Sequence, residues 1–230
     1  MAVMKRKFYT EIAYVWGIIF LALGTAFMEK ANFGMSMVVA PAYILHLKIS
    51  QTLSFFSFGM AEYCLQLLLI ILLSVIMHRF KLGYLFSFVT AVIYGLVLDL
   101  CIALISGLPG EMFSFRVLFF IIGMLGCSVG VAFFFHTYLA PEAYELIVKE
   151  LTEKSGKSIT FVKTTYDITS LSISVILSFV FFGFLTFRGV NVGTLITALC
   201  NGWIIGRISS FMDKKWEFCD GISLIKYFEK

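Results

Sequence analysis

Six stretches of this chain carry no formally charged side chain: residues 12–28, 63–77, 82–98, 117–135, 168–187 and 189–206. Runs of this length cannot be accommodated one after another in a small water-soluble core. Extended to their natural ends, they predict helices over 11–28, 52–77, 82–106, 113–136, 160–186 and 190–212. Each spans about 30 Å of hydrocarbon at the helical rise, the first with an extension into Glu29 and Lys30. Only 14% of the residues are charged, against about 25% in an ordinary soluble domain, so the chain reads as an all-α integral membrane protein. Soluble-enzyme and nucleic-acid functions are excluded on the same ground. The net charge of +4 follows the membrane, not a polyanionic partner.

With the N-terminus inside, fourteen of the eighteen lysines and arginines fall in or beside the inner segments. Lys30, Lys48, Arg116 and Arg188 remain outside, a strong positive-inside bias that places both termini in the cytoplasm. Lys5-Arg6-Lys7 precedes the first apolar run. Gly24-Thr25-Ala26 leads into more membrane-like sequence, so no cleaved signal peptide is expected. The five cysteines lack metal-ligand spacing and read as small apolar packers. Met35 and Met37 have no Cys–Met cluster around them, and His46, His78 and His136 are dispersed. No metal, cofactor or enzymatic triad is therefore expected.

The two halves resemble each other. LGTAFMEKANFG at 23–34 lies against VGVAFFFHTYLA at 129–140; Glu62 falls opposite Asp167; Thr90-Ala91 with Gly95 matches Thr197-Ala198 with Gly202. The matches keep their order at an offset of about 106 residues. Residues 1–110 and 111–212 therefore read as two three-helix repeats, with 213–230 as a cytoplasmic tail. Three crossings per repeat is an odd number, so the second copy enters from the opposite side, as in many secondary transporters.

Each predicted first crossing is followed by a proline-led segment. After the first comes NFGMSMVVAPAYILHL at 32–47, with Pro41; after the fourth comes LAPEAYELIVKELTEKSGKS, with Pro141. Proline suits a helix first turn, so each half is expected to carry a short re-entrant or interfacial helix. In 141–156, Ala143, Tyr144, Ile147 and Leu151 line one face. Glu142, Glu145, Lys149, Glu150 and Glu153 occupy the other, and Gly156 ends the helix, which is expected at the cytoplasmic surface. The first segment is far less polar. It is either re-entrant, with Asn32, Gly34 and Ser36 lining a cavity, or surface-lying.

Ionisable groups inside spans cost about 2.5–3.5 kcal/mol each at the centre, which makes them candidate sites. Glu62 and Asp99 fall in the outer third near Lys30; Asp167 and Arg207 fall in the inner third near His136 and Lys163. One reading is a pair of gates flanking a central cavity, with Glu62 or Asp167 coupling substrate to protons. The other is a set of structural ion pairs, Asp99 with Lys30 and Asp167 with Arg207. Asn201, aligned with Tyr94, adds a neutral hydrogen-bonding candidate.

GTAFMEKANFGMS at 24–36, the Ala/Thr–Gly pattern of the third and sixth crossings, and GVNVGTLITALCNGWIIG at 189–206 make the chain resemble the YitT/YczE family of bacterial membrane proteins. The likeness covers most of residues 10–212. It implies six crossings in two related halves and a transporter-like role without an established substrate. Some relatives of that family carry a soluble C-terminal ligand-sensing domain, where this chain has only 213–230 after its last predicted helix. Tyr138-Leu139-Ala140-Pro141 departs from the Asn-Leu-Gly-type turn of the family. The expected function is secondary transport of a small polar solute or ion between the repeats, within a lipid bilayer and at a size compatible with a homodimer. The alternatives are a substrate-capturing subunit of a larger uptake system and a non-transporting scaffold.

Overall fold

The computed structural model describes residues 6–157 and 159–221. The segment 222–230 of the expected tail lies outside the described residues. Six helices have the length and apolarity to cross a membrane: α1 (Thr10–Ala31), α3 (Phe58–Met77), α4 (Leu82–Ile105), α5 (Phe113–Phe134), α7 (Ile159–Phe182) and α8 (Val192–Lys215). Two shorter helices, α2 (Ala40–Ile49) and α6 (Ala143–Ser155), follow α1 and α5. Local chemistry explains the ends. Asn32 stops α1 in the left-handed conformation with its N–H bonded to Met28 and Glu29 carbonyls. Ser57 caps α3 by accepting from Met60 N–H. Asn191 and Thr194 form a reciprocal capping box on α8, and Gly156 closes α6 at φ +65°. Pro41 sits in the first turn of α2, where its missing N–H costs nothing.

One element departs from the all-α expectation. Arg6–Tyr9 (β1) and Trp216–Cys219 (β2) form a two-stranded parallel ribbon, with Arg6 opposite Trp216 and Tyr9 opposite Cys219. It extends the last helix into part of the expected tail. Phe8, Trp216 and Phe218 stack beside Phe133, and Thr10 Oγ1 donates to Asp220 (3.0 Å). Neither four-residue strand has alternation long enough to be read alone, and parallel pairing joins segments far apart in sequence.

The core is the α1–α5 pair. Glycines let the two backbones approach: a Cβ on Gly24 would lie 2.4 Å from Cys127 N, and one on Gly130 2.6 Å from Leu21 N. Around this pair, α4 packs on α1 and α8 packs on α5; α2 packs on α3 and α7, while α6 packs on α7 and α3. The sequence match of Gly95 with Gly202 does not extend to packing. Helices α3 and α4 pack closely, with a Cβ on Gly59 falling 2.0 Å from Gly95 O, whereas α7 and α8 barely touch. Gly202, the counterpart of Gly95, faces open space. Few residues of the α8 span are buried, 11% against 39% in the α4 span, and α8 rests mainly on α5.

Candidate functional site

Two polar features interrupt the apolar bundle. The first is built on α3, where Glu62 and Gln66 stand one turn apart and are fully buried. The start of α6 meets them. Ala143 N–H donates to Gln66 Oε1 (3.0 Å), Gln66 Nε2 donates to Glu142 Oε2 (3.3 Å) and Glu62 Oε2 (3.5 Å), and Tyr144 OH donates to Glu62 Oε2 (2.9 Å). Glu62 Oε1 and Glu142 Oε1 are buried with no hydrogen-bond partner among the described residues. One amide thus bridges two carboxyls that no cation among the described residues contacts. Burial, then the charges of Glu145 and Glu62, push the Glu142 carboxyl well above its ordinary range. Burial also raises Glu145, against the pull of Lys163. Two bare carboxylates here would carry an uncompensated desolvation cost, so the cluster holds at least one proton.

The amphipathic reading of 141–156 is corrected at this point. Glu142 and Glu150, assigned to a solvated face, are buried, because α3, α4 and α7 enclose α6 on more than one side. Glu150 forms ion pairs with Lys81 and with Arg79 (3.3 Å). Burial opposes its ionisation, but these cations outweigh it and hold its carboxyl below the usual range.

The second feature is a cavity of about 600 Å³ at the end of α1. Glu29, Lys30, Asn32, Arg188 and Asn191 supply its polar lining, and Met28, Met35, Leu47, Ile102 and Phe187 belong to its apolar wall. Arg116 reaches the adjacent turn, donating to Ala31 O (2.9 Å) and Asn32 O (2.8 Å). A run of sulfur and hydroxyl contacts begins at Met28, which lines the cavity. Met28 Sδ lies 4.0 Å from Cys127 Sγ, which is 3.7 Å from Thr25 Oγ1; Tyr94 OH donates to Thr25 Oγ1 (2.9 Å). Tyr94 in turn lies within electrostatic reach of Glu62 and Glu142.

The residues singled out from sequence do not form one site. Lys30 and Asn32 line the cavity, while Glu62 belongs to the buried cluster. Ser36 instead starts the α2 turn, its carbonyl accepting from Val39 and Ala40 N–H (3.0 and 2.9 Å). Asp99 accepts from Ser57 Oγ and Gly59 N–H (2.8 Å), tying α4 to the start of α3. Lys30 does not meet it and donates to Ser106 O (2.7 Å). Asp167 pairs with Lys163 (3.1 Å) one turn away, not with Arg207, whose guanidinium lies over the Trp203 ring (5.5 Å). His136 contacts Ala132 O (2.7 Å) and Asp213 Oδ1 (2.9 Å), and Asn201 Oδ1 accepts from Ser128 Oγ (2.6 Å). Sequence reasoning did not single out Gln66, Glu142, Tyr144, Glu29 or Arg188 for a site. The one available signal was the Glu62–Gln66 spacing, which puts two polar groups on one stripe of an apolar helix.

Six membrane-crossing lengths around a buried carboxyl cluster define a multi-pass integral membrane protein embedded in a lipid bilayer. The chain belongs to the family of unknown function DUF6198, which matches residues 8–210, the whole of the helical fold up to the last turns of α8. No curated protein and no solved structure matches it.

Proposed function

We propose that the protein is a small secondary transporter of the bacterial inner membrane that moves a small polar solute in exchange for, or together with, protons. Both chain termini lie on the cytoplasmic side in this reading. The observation that carries it is the buried Glu62–Gln66–Glu142 cluster, whose carboxyls meet no cation among the described residues, together with a polar-lined cavity in the same bundle. A buried carboxyl pair without a counter-ion has little value as a stabiliser, whereas a group that must gain or lose a proton when its surroundings change is what ion coupling requires. The sequence likeness to the YitT/YczE family points the same way.

Alternating access follows if α1–α4 and α5–α8 are inverted repeats. Matched contacts support that relation. Tyr94 meets Thr25 between α4 and α1, and its counterpart Asn201 meets Ser128 between α8 and α5, about one turn from Val131, the residue aligned with Thr25. Lys30 meets Ser106 at one end of the bundle, and the equivalent His136 meets Asp213 at the other.

The short helices are read as re-entrant. Lys154, near the end of α6, donates to Ile76 O near the end of α3, yet Ala143 meets Gln66 eleven positions earlier, about 16 Å along the helix. The preceding strand of chain is held by Ser87 Oγ on Pro141 O (2.6 Å) and Thr90 Oγ1 on Ala140 O (3.0 Å). Before α2, Ser170 Oγ donates to Met37 O (2.8 Å), twelve positions or about 18 Å from the end of α7. Irregular backbone survives at such depth only when the protein satisfies it, as these hydroxyls do.

The test is proton movement in sealed liposomes loaded with a pH-sensitive dye, triggered by adding pooled small metabolites. Wild type is expected to alkalinise or acidify the lumen, and Glu62→Gln to abolish the response. No solute-dependent flux from any pool would sink the transporter reading. Flux that appears only with a copurifying ATPase would make the protein a subunit of a larger uptake system.

A further inference from the structure

The cavity at the end of α1 contains two opposite charges that the fold itself leaves unspent. Among the described residues, the Glu29 carboxylate makes no hydrogen bond or ion pair; Lys30 and His46 lie within its electrostatic reach. Lys30 is committed to Ser106 O (2.7 Å), and His46 bonds Phe56 O (2.9 Å) away from the cavity. The Arg188 guanidinium rests over the Phe182 ring (4.9 Å) and meets no carboxylate among the described residues. Both Glu29 and Arg188 line the cavity, and Met28, Met35, Ile102 and Leu47 form apolar walls around them.

From this arrangement we infer that the cavity binds a zwitterion with an apolar body, its anionic group on Arg188 and its ammonium on Glu29. The inference rests on the transport reading, for which it names the class of solute. A purely anionic ligand would bring a negative charge against Glu29, and a purely cationic one would leave Arg188 unpaired and face Lys30. Only a ligand carrying both charges, as an apolar amino acid does, satisfies both side chains and replaces water along the wall. The wall binds the body by apolar burial, and the two charges fix its orientation. A phosphatidylethanolamine headgroup presents the same pair of charges, a phosphate and an ammonium. The source is therefore either an aqueous solute or a lipid.

Equilibrium binding to the detergent-solubilised full chain, read by titration calorimetry, separates these cases. The probes are leucine, isocaproate (which lacks the ammonium) and isoamylamine (which lacks the carboxylate), with methionine and phenylalanine as further amino acids. An amino acid is expected to bind, with each single-charge analogue weaker by about tenfold or more, the loss of one charge-assisted contact. Glu29→Gln should weaken leucine by a similar factor without weakening isocaproate. Arg188→Gln should weaken leucine without weakening isoamylamine. These reciprocal patterns also control for folding, since a collapsed variant binds nothing. In nanodiscs, loss of leucine binding on adding phosphatidylethanolamine but not phosphatidylglycerol supports the zwitterion and assigns it to a lipid. Retained binding assigns it to the aqueous solute. An analogue with one charge that binds as tightly as leucine overturns the inference. So does the absence of binding by every amino acid and by phosphatidylethanolamine. Because binding is read without a gradient, failure here leaves the liposome test standing, and failure there leaves this one standing.

Discussion

Replacing Glu142 by Gln should flatten the dependence of stability on pH. In the unfolded chain this carboxyl titrates near 4.5; in the fold, burial and the charges of Glu145 and Glu62 raise it well above that value. Between the two values the folded carboxyl holds a proton that the unfolded one has released, so unfolding sheds a proton. Its stabilising share is therefore complete below the unfolded value and is lost as pH rises through the folded one. Each pH unit in that window costs about 1.4 kcal/mol per proton. For a chain of this length about 1 kcal/mol moves the melting midpoint by roughly 2–4 °C, so the expected slope is about 3–6 °C per pH unit. The groups around the carboxyl are Glu62 and Gln66 from α3, Tyr94 from α4 and Glu145 from α6, with Lys163 and Asp167 of α7 beyond Glu145. The assay is a thermal melt in detergent from about pH 5 to pH 8, followed by labelling of the buried Cys101 and Cys127 thiols. Glu142→Gln should remove a slope of that size, while Glu145 continues to contribute in the same direction. A variant that melts with the wild-type slope would refute the assignment of a shared proton to this cluster.

Glu150 should behave oppositely: its carboxyl is held low, so its stabilising share is present above the unfolded value and lost as pH falls. Glu150→Gln should cost about 1.5–3 kcal/mol near neutrality and nothing in acid, measured by the same melts. Gly59→Ala places a Cβ 2.0 Å from the Gly95 carbonyl, so α3 and α4 must separate; a loss of about 1–3 kcal/mol or more is expected, read by melting. Asp99→Ala should release the start of α3 at a cost of about 0.5–2 kcal/mol and speed hydrogen exchange at Gly59 and Met60. Thr164 and Gly202 stand about 106 positions after the Gly59–Gly95 contact, so if the α7–α8 gap closes in a second state, a Thr164→Cys/Gly202→Cys pair in a chain without its natural cysteines should cross-link in membranes under oxidation. Its absence under every condition would deny that closure.

What could be read directly from the residues was whatever the bilayer enforces. Apolar runs such as 117–135 must become helices because no other single segment satisfies its own backbone in hydrocarbon. Their ends were visible where capping chemistry is local, as at Gly156. The candidate site was harder, because it depends on how helices rotate about their axes. The sequence puts Asp99 and Lys30 near one end of the bundle, yet Asp99 points to Ser57 and Gly59, and Lys30 to Ser106, seven residues further along. A periodicity argument puts Glu142 and Glu150 on the wet side of a surface helix, but it presumes that such a helix has only one protein-facing side. With α3, α4 and α7 around it, α6 has more than one. Glu29 and Arg188 lie far apart in sequence, and only the folded loop before α8 brings them to one cavity.

The β1–β2 ribbon has a consequence for biogenesis. Because Arg6–Tyr9 pairs with Trp216–Cys219, the two ends of the fold occupy one side of the bilayer whichever way the bundle is inserted. Arg6–Tyr9 is made before any of the spans and must then wait, its strand edge unpaired, until α8 has been threaded and released. A nascent chain halted before Trp216 would hold its full set of helices and still lack the clasp that fastens beginning to end.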